Sequence, residues 1–311
     1  RDALNITGMG AETANNFRDK ARMKTVLTAA GIPCARHRLC ASVEDAVAFA
    51  QEVGFPLVVK PPAGAGTVAT YQVANDPDLR GAVASLHPSA GRPALVEQFM
   101  SGDEHSFEVA CIRGQPVWYS LTRYQPQPLD VMRNPWIQWT VLLPKETGGA
   151  QWQPVRDVGF ATLKALGMDT GLSHMEWFRR PDGSAIVSEI GARPPGAQIV
   201  SLNSYASDFD LYRAWAKLVI HEQFDPPTQK YAVGAAFFRG AAGSHVVRVE
   251  GIEDAQREVG HLVVEAKLPQ PGQRKSSSYE GEGYAIVRHP ETEVVSEALK
   301  RLITRVRVVM G

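Results

Sequence analysis

Residues 172–190, LSHMEWFRRPDGSAIVSEI, place two runs rich in Trp, Phe, Ile and Val on either side of Pro181-Asp182-Gly183-Ser184. That turn chemistry between β-favouring runs reads as a hairpin and commits this part of the chain to an antiparallel sheet. With Asp182 and Gly183 as the two central turn residues, Glu176 falls directly opposite Glu189. Side chains on paired positions share a face with Cβ atoms roughly 4.5 to 5.5 Å apart, where like charges repel. Either one carboxyl is then protonated or a cation lies between them; two glutamates on a solvated face are the other reading. A three-residue loop with a bulge is also compatible with Pro-Asp-Gly and moves the register by one.

A chain of 311 residues is long enough for two domains or one large one. Its 33 Lys and Arg balance 33 Asp and Glu, so no global field recruits nucleic acid or an anionic membrane. Any anion site must be local. Cys34, Cys40 and Cys111 form neither an even disulfide framework nor a CxxC metal pair, which favours a reducing cytoplasm. No apolar run approaches the roughly 18 residues that span a bilayer. The first residue is Arg1, and RDALNITGMGAETAN carries little periodicity, so residues 1–18 read as the remnant of a domain lying upstream.

Helical spacing begins at Asp19 to Ala30, with Met23, Val26, Leu27 and Ala30 on one face. A second helix runs from Ser42, an N-cap, to Val53 and stops at Gly54. FPLVVK and ALVEQFM read as strands, Asp76 to Leu86 as a helix, and HSFEVACI with PVWYSLTRY as a hairpin around Arg113-Gly114-Gln115. Helices are expected around Val155 to Leu166 and Asp208 to Ile220. The pattern breaks at Asp225-Pro226-Pro227-Thr228, which divides a domain at 19–224 from a small accessory α/β domain at 225–311.

Three further segments carry chemistry. LVVKPPAGAGT delivers Lys60 from a strand into a loop with Gly64 and Gly66, where bare backbone amides can approach phosphate oxygens; a surface lysine on a hairpin loop is the alternative. LVEQFMSGDEHSFEV interrupts an apolar strand with Glu97 and Gln98 before Phe99 and then Glu104, offering main-chain groups for a base edge and a carboxylate for ribose hydroxyls; an edge strand with solvated acidic residues is the alternative. EIGARPPGA puts Arg193 four residues after Glu189, on the same face if the strand continues, either as a charge partner or as a clamp on a transferring group. His174 shares the face of Glu176 and reads as a structural histidine. Residues 121–143, with Arg123, Arg133, Trp136 and Trp139, line a substrate or pack on the core; the tryptophans, with Trp118, read as structural.

Taken in order, DKARMKTVLTAAGIP, LVVKPPAGAG, VEQFMSGDEHSFEV, HMEWF and SEIGAR resemble the ATP-grasp superfamily across roughly residues 17 to 222, nearest its carboxylate-amine ligases, including the biotin carboxylase-like and L-amino acid ligase-like branches. The resemblance implies an α+β fold in which two lobes hold ATP between antiparallel sheets. It implies a ligase that phosphorylates a small-molecule carboxylate for attack by an amine or similar nucleophile. Lys20 and Lys60 are then phosphate ligands, with Gly64 and Gly66 in the loop above. Glu97, with the backbone of Gln98 and Phe99, meets adenine, Glu104 meets ribose and Phe178 floors the base. Glu176 and Glu189 ligate Mg²⁺, with Mn²⁺ as an alternative ion, and Arg193 stabilises the reacting group. Many members carry Asn two residues after the second glutamate, where this chain has Gly191. Dimers are common among members, which makes a homodimer the implied assembly. The alternatives are a biotin carboxylase-like enzyme whose biotin is carried on a separate partner, and a nucleotide-binding module without turnover.

Overall fold

The computed structural model describes residues 2–4, 6, 8–63 and 70–311. Gly64 and Gly66 therefore lie outside the described residues. The chain divides into two compact units. The first comprises Arg1–Gly102, Cys111–Pro116 and Gln151–Arg193, and the second Asp103–Ala110, Val117–Ala150 and Pro194–Gly311.

In chain order the first unit holds α1 (Ala11–Asn16), α2 (Lys20–Ala29), β1 (His37–Cys40), α3 (Val43–Val53), β2 (Leu57–Lys60), β3 (Tyr71–Val73), α4 (Asp76–Ser85) and β4 (Ala94–Gln98). Then β5 (Asp103–Ile112) and β6 (Gln115–Gln125) run mostly in the second unit, followed there by α5 (Pro128–Arg133) and β7 (Trp139–Leu143). The first unit gains α6 (Gln153–Leu166), β8 (Gly171–Arg179) and β9 (Ala185–Gly191). The second closes with α7 (Ile199–Ser207), α8 (Leu211–His221), β10 (Ala232–Phe238), β11 (Val246–Glu250), α9 (Ile252–Val259), β12 (Val263–Lys267), β13 (Gly283–His289), α10 (Thr292–Arg305) and β14 (Arg307–Met310). Among the described residues no helix is long and apolar enough to cross a membrane.

Helix starts follow from side-chain caps. Asp19 accepts from the amides of Ala21 and Arg22, Ser42 and Asp45 form a reciprocal capping box, and Asn75 and Asp210 cap α4 and α8. In the first unit an antiparallel sheet of order β1-β4-β2-β3 has one face closed by two helices. Leu57, Val59, Ala94 and Val96 meet Ala46 and Phe49 of α3 and Leu79 and Val83 of α4. Strand alternation therefore turns Val58, Lys60, Leu95 and Glu97 to the other face. A buried apolar strand thus ends in a lysine aimed away from the helices.

In the second unit the strand order is β12-β13-β10-β7-β6-β5. β10 is apolar at every position because both its faces are covered. Val233, Ala235 and Phe237 pack with Ile199 and Leu202 of α7, while Ala232, Ala236 and Phe238 pack with Val295 and Leu299 of α10. A Cβ at Gly234 would lie 2.5 Å from Leu299 Cδ1, so α10 approaches there only over a bare backbone.

Two expectations change. The break at Asp225 is a loop inside the second unit, since β10 pairs with β7 through Val233–Leu143 to Phe237–Trp139. Residues 225–311 consequently share a sheet and a core with residues from before the break. Of the tryptophans, Trp139 is core, but Trp136 is 65 % exposed.

Candidate active site

The hairpin turn closes with the Gly183 amide donating to Arg180 O, so Pro181 and Asp182 are central and Gly183 follows at φ +82°. That turn is one residue longer than the simplest reading, and Arg179 pairs with Ala185, Phe178 with Ile186 and Trp177 with Val187. A bulge at Ser188 then restores the count, and Glu176 stands opposite Glu189, Met175 opposite Ile190 and His174 opposite Gly191. The facing carboxylates are real, produced by two compensating shifts.

Neither carboxylate is left to repel the other. Glu189 Oε2 lies 2.8 Å from Lys20 Nζ, and Glu176 Oε1 lies 3.7 Å from His174 Nε2. Burial pushes the Glu176 carboxyl upward, but the hydrogen bond and charge of His174, with Lys20 and Arg193, outweigh it and hold it below its ordinary value. Both glutamate side chains keep about a quarter of their surface exposed, at 26 and 28 %. Among the described residues no group of three His, Cys, Asp or Glu side chains forms a metal cage. Two facing carboxylates fit Mg²⁺, which is usually held by one or two carboxylates together with substrate phosphates and water.

Lys20 is the first residue of α2, and its amide donates to Pro62 O at 2.9 Å, tying the helix start to the segment after Lys60. Lys60 pairs with Glu97 Oε1 across neighbouring strands. The other oxygen, Glu97 Oε2, lies 3.2 Å from Lys24 Nζ, an ion pair off the hydrogen-bond direction. Burial would raise the Glu97 carboxyl, yet the two ammonium groups bring it down to about 2. Burial likewise lowers Lys60, but Glu97, Glu189 and Glu176 together raise it above its ordinary value. His37, opposite Glu97 on β1, is lowered by burial and by the charge of Lys24.

A cavity of about 270 Å³ is lined by Arg18, Lys20, His174, Glu189, Gly191 and Arg193 among others. Strand β9 ends at Gly191, so Arg193 does not reach the site along the strand face as expected. It folds back instead, with its Cγ 3.4 Å from where a Cβ at Gly191 would stand. The arginine thus occupies the space beside the position where many ATP-grasp chains carry Asn.

The adenine expectation also narrows. Glu97 is 3 % exposed and engaged with two lysines, and the amides of Gln98 and Phe99 already donate to Arg36 O and Pro56 O. This carboxylate and these two amides are therefore already engaged within the protein. Phe178 is buried on β8, and Glu104, also buried, is the second residue of β5 in the second unit. Sequence reasoning missed Lys24 and placed Ala30 inward in its stead; Ala30 is exposed, while Lys24 is fully buried beside Met23 and Leu27. A lysine one turn after Lys20, on the apolar stripe of α2, was the available signal.

The family model described as carbamoyl-phosphate synthase L chain, ATP binding domain, matches residues 19–115. Protein y4rH of Sinorhizobium fredii is 29 % identical over 225 residues, 71 % of this chain and 45 % of that protein. An L-arginine-specific L-amino acid ligase from Bacillus subtilis is 27 % identical over 204 residues, 64 % of this chain and 48 % of that one. The chain therefore spans less than half the length of these curated relatives. In structure, the L-amino acid ligase from Bacillus licheniformis superposes with a TM-score of 0.79 at 17 % identity, covering 100 % of this chain and 76 % of that chain.

Proposed function

We propose that this chain, which has the ATP-grasp fold, is an ATP- and Mg²⁺-dependent ligase that joins a small-molecule carboxylate to an amine. The observation that carries the reading is the pairing of Glu176 with Glu189 in one unit with Lys20 and Lys60. Magnesium would be held by these two glutamates and would neutralise charge between the β and γ phosphates. Glu189 has Lys20 as its counter-ion; with Glu189 holding a divalent cation, the Lys20 ammonium would be available for a phosphate oxygen. Lys60, with its proton held firmly by surrounding carboxylates, supplies a second fixed positive charge. Arg193, in the cavity beside Glu189, faces the charge that develops as the phosphoryl group transfers.

In the reaction, an acceptor carboxylate oxygen attacks the γ phosphorus and the bond to ADP breaks. The amine nitrogen then attacks the acyl carbon of the mixed anhydride, inorganic phosphate leaves, and the nitrogen loses its proton. Mn²⁺, which accepts the same oxygen ligands, is expected to replace Mg²⁺.

The test is calorimetric titration of ATP with and without Mg²⁺ on the parent, Glu176→Gln and Glu189→Gln, followed by phosphate release on a panel of amino acids and other carboxylates. Binding that weakens in both variants only with Mg²⁺ present, together with acceptor-dependent phosphate release, is the expected result. Binding indifferent to both changes would remove the hairpin from the site. Binding without release on any acceptor would make the chain a nucleotide-binding module.

A further inference from the structure

We infer that Lys24 is a positioning residue of the nucleotide site, a buried cation that shares Glu97 and so leaves a net positive charge to be presented at Lys60. The inference rests on the reading of this chain as an ATP-dependent ligase.

The charge count is simple. One carboxylate, Glu97, stands between two ammonium groups, Lys24 at 3.2 Å from Oε2 and Lys60 against Oε1. The cluster therefore carries one unit of positive charge. Lys24 has no exposed side-chain surface, Glu97 has 4 % and Lys60 has 10 %, so the outlet of that charge is Lys60. Were residue 24 neutral, Glu97 and Lys60 would cancel, and the strand end beside the facing glutamates would lose its net attraction for an anion. In a site of low effective dielectric, one unit of charge acts strongly on a polyphosphate.

A second contact locates Lys24 more closely. Its Nζ donates to Ser188 O at 3.0 Å, and Ser188 is the bulge residue, held out of the pairing so that Glu189 and not Ser188 stands opposite Glu176. One side chain thus ties the helix carrying Lys20, the carboxylate serving Lys60 and the bulge that sets the paired glutamates. A well-packed apolar residue commonly replaces a buried ion pair without loss of stability, so stability alone gives weak reason for a lysine beside Met23 and Leu27.

The experiment compares MgATP and adenosine affinity for the parent, Lys24→Met, Lys24→Arg, Glu97→Gln and the double variant Lys24→Met/Glu97→Gln, with a thermal melt for each. Lys24→Met is expected to weaken MgATP by about tenfold or more while leaving adenosine unchanged. The double variant restores the net charge of one and is expected to return MgATP to within about threefold of the parent, which loss of a structural contact does not predict. Lys24→Arg keeps the charge and is expected to hold most of the affinity. A Lys24→Met protein that binds MgATP like the parent overturns the inference, as does a folded double variant no tighter than Lys24→Met. Should Lys24→Met not fold, the double variant decides alone, with affinity near the parent supporting the inference and a loss beyond about tenfold overturning it. A parent that binds no MgATP is a separate outcome, which overturns the ligase reading and the inference with it.

Discussion

Glu97 and Glu189 are both glutamates on strands of the first unit, both bonded to a lysine expected to meet phosphate, yet their surroundings differ sharply. Glu97 is sealed, with 4 % of its side chain exposed and a lysine on each oxygen. Glu189 keeps 28 % exposed and opens onto the cavity with Lys20. The difference separates a fixed ionic cluster from an exchangeable one. A buried pair resists loss of either member because the other is stranded without solvent, whereas a solvated pair can trade its partner for a metal ion at small cost.

The comparison breaks most readily at the facing carboxylates. Removing both, in Glu176→Ala/Glu189→Ala, leaves no carboxylate pair to hold Mg²⁺, so Mg²⁺-dependent ATP binding is expected to disappear; calorimetry reads this directly. Next in size, Glu97→Ala strands two buried ammonium groups and is expected to destabilise the fold by about 3–5 kcal/mol in urea denaturation. A proton does the same more gently. Because the Glu97 carboxyl is depressed from 4.5 to about 2 in the folded chain, its contribution is complete above pH 4.5 and is lost as pH falls towards 2. That loss is on the order of 3 kcal/mol, and Glu97→Gln is expected to flatten this part of the stability-against-pH curve. Smallest in stability is Glu189→Ala, expected to cost no more than about 1 kcal/mol while weakening ATP by about tenfold or more only with Mg²⁺ present. Equal destabilisation by Glu97→Ala and Glu189→Ala would erase the distinction.

Local signals told most about the first unit. Caps at Asp19, Ser42 and Asn75 start helices where side-chain chemistry says they should, and the turn residues around Gly114 and Gly183 mark their hairpins. Less visible was whatever depends on distant partners. The Pro-Pro break at 226–227 reads as a boundary, but β10 finds β7 some ninety residues earlier in the chain, and no local pattern announces that pairing. Helix α7 hides because IVSLNSYAS has a strand-like start and enters from Ala197 and Gln198 at positive φ, with no side-chain cap. Within the site, the opposition of Glu176 and Glu189 was legible although the turn behind it was assigned one residue too short. The role of Lys24 needed the fold, because its carboxylate lies 73 residues away on β4.

The Ser188 bulge has a consequence for how this hairpin tolerates change. Between Ala185 and Val187 the two strands follow one register and from Glu189 onward another, so the parity set at the tip is not the parity read at the base. The inserted residue acts as a vernier between them. The outer loop, Arg180 to Ser184, can therefore vary in sequence and in turn type while the strand beyond Ser188, anchored through its carbonyl to a helix, keeps its own alignment. Variation at an exposed tip and constancy at a charged base become separable properties of a single ribbon.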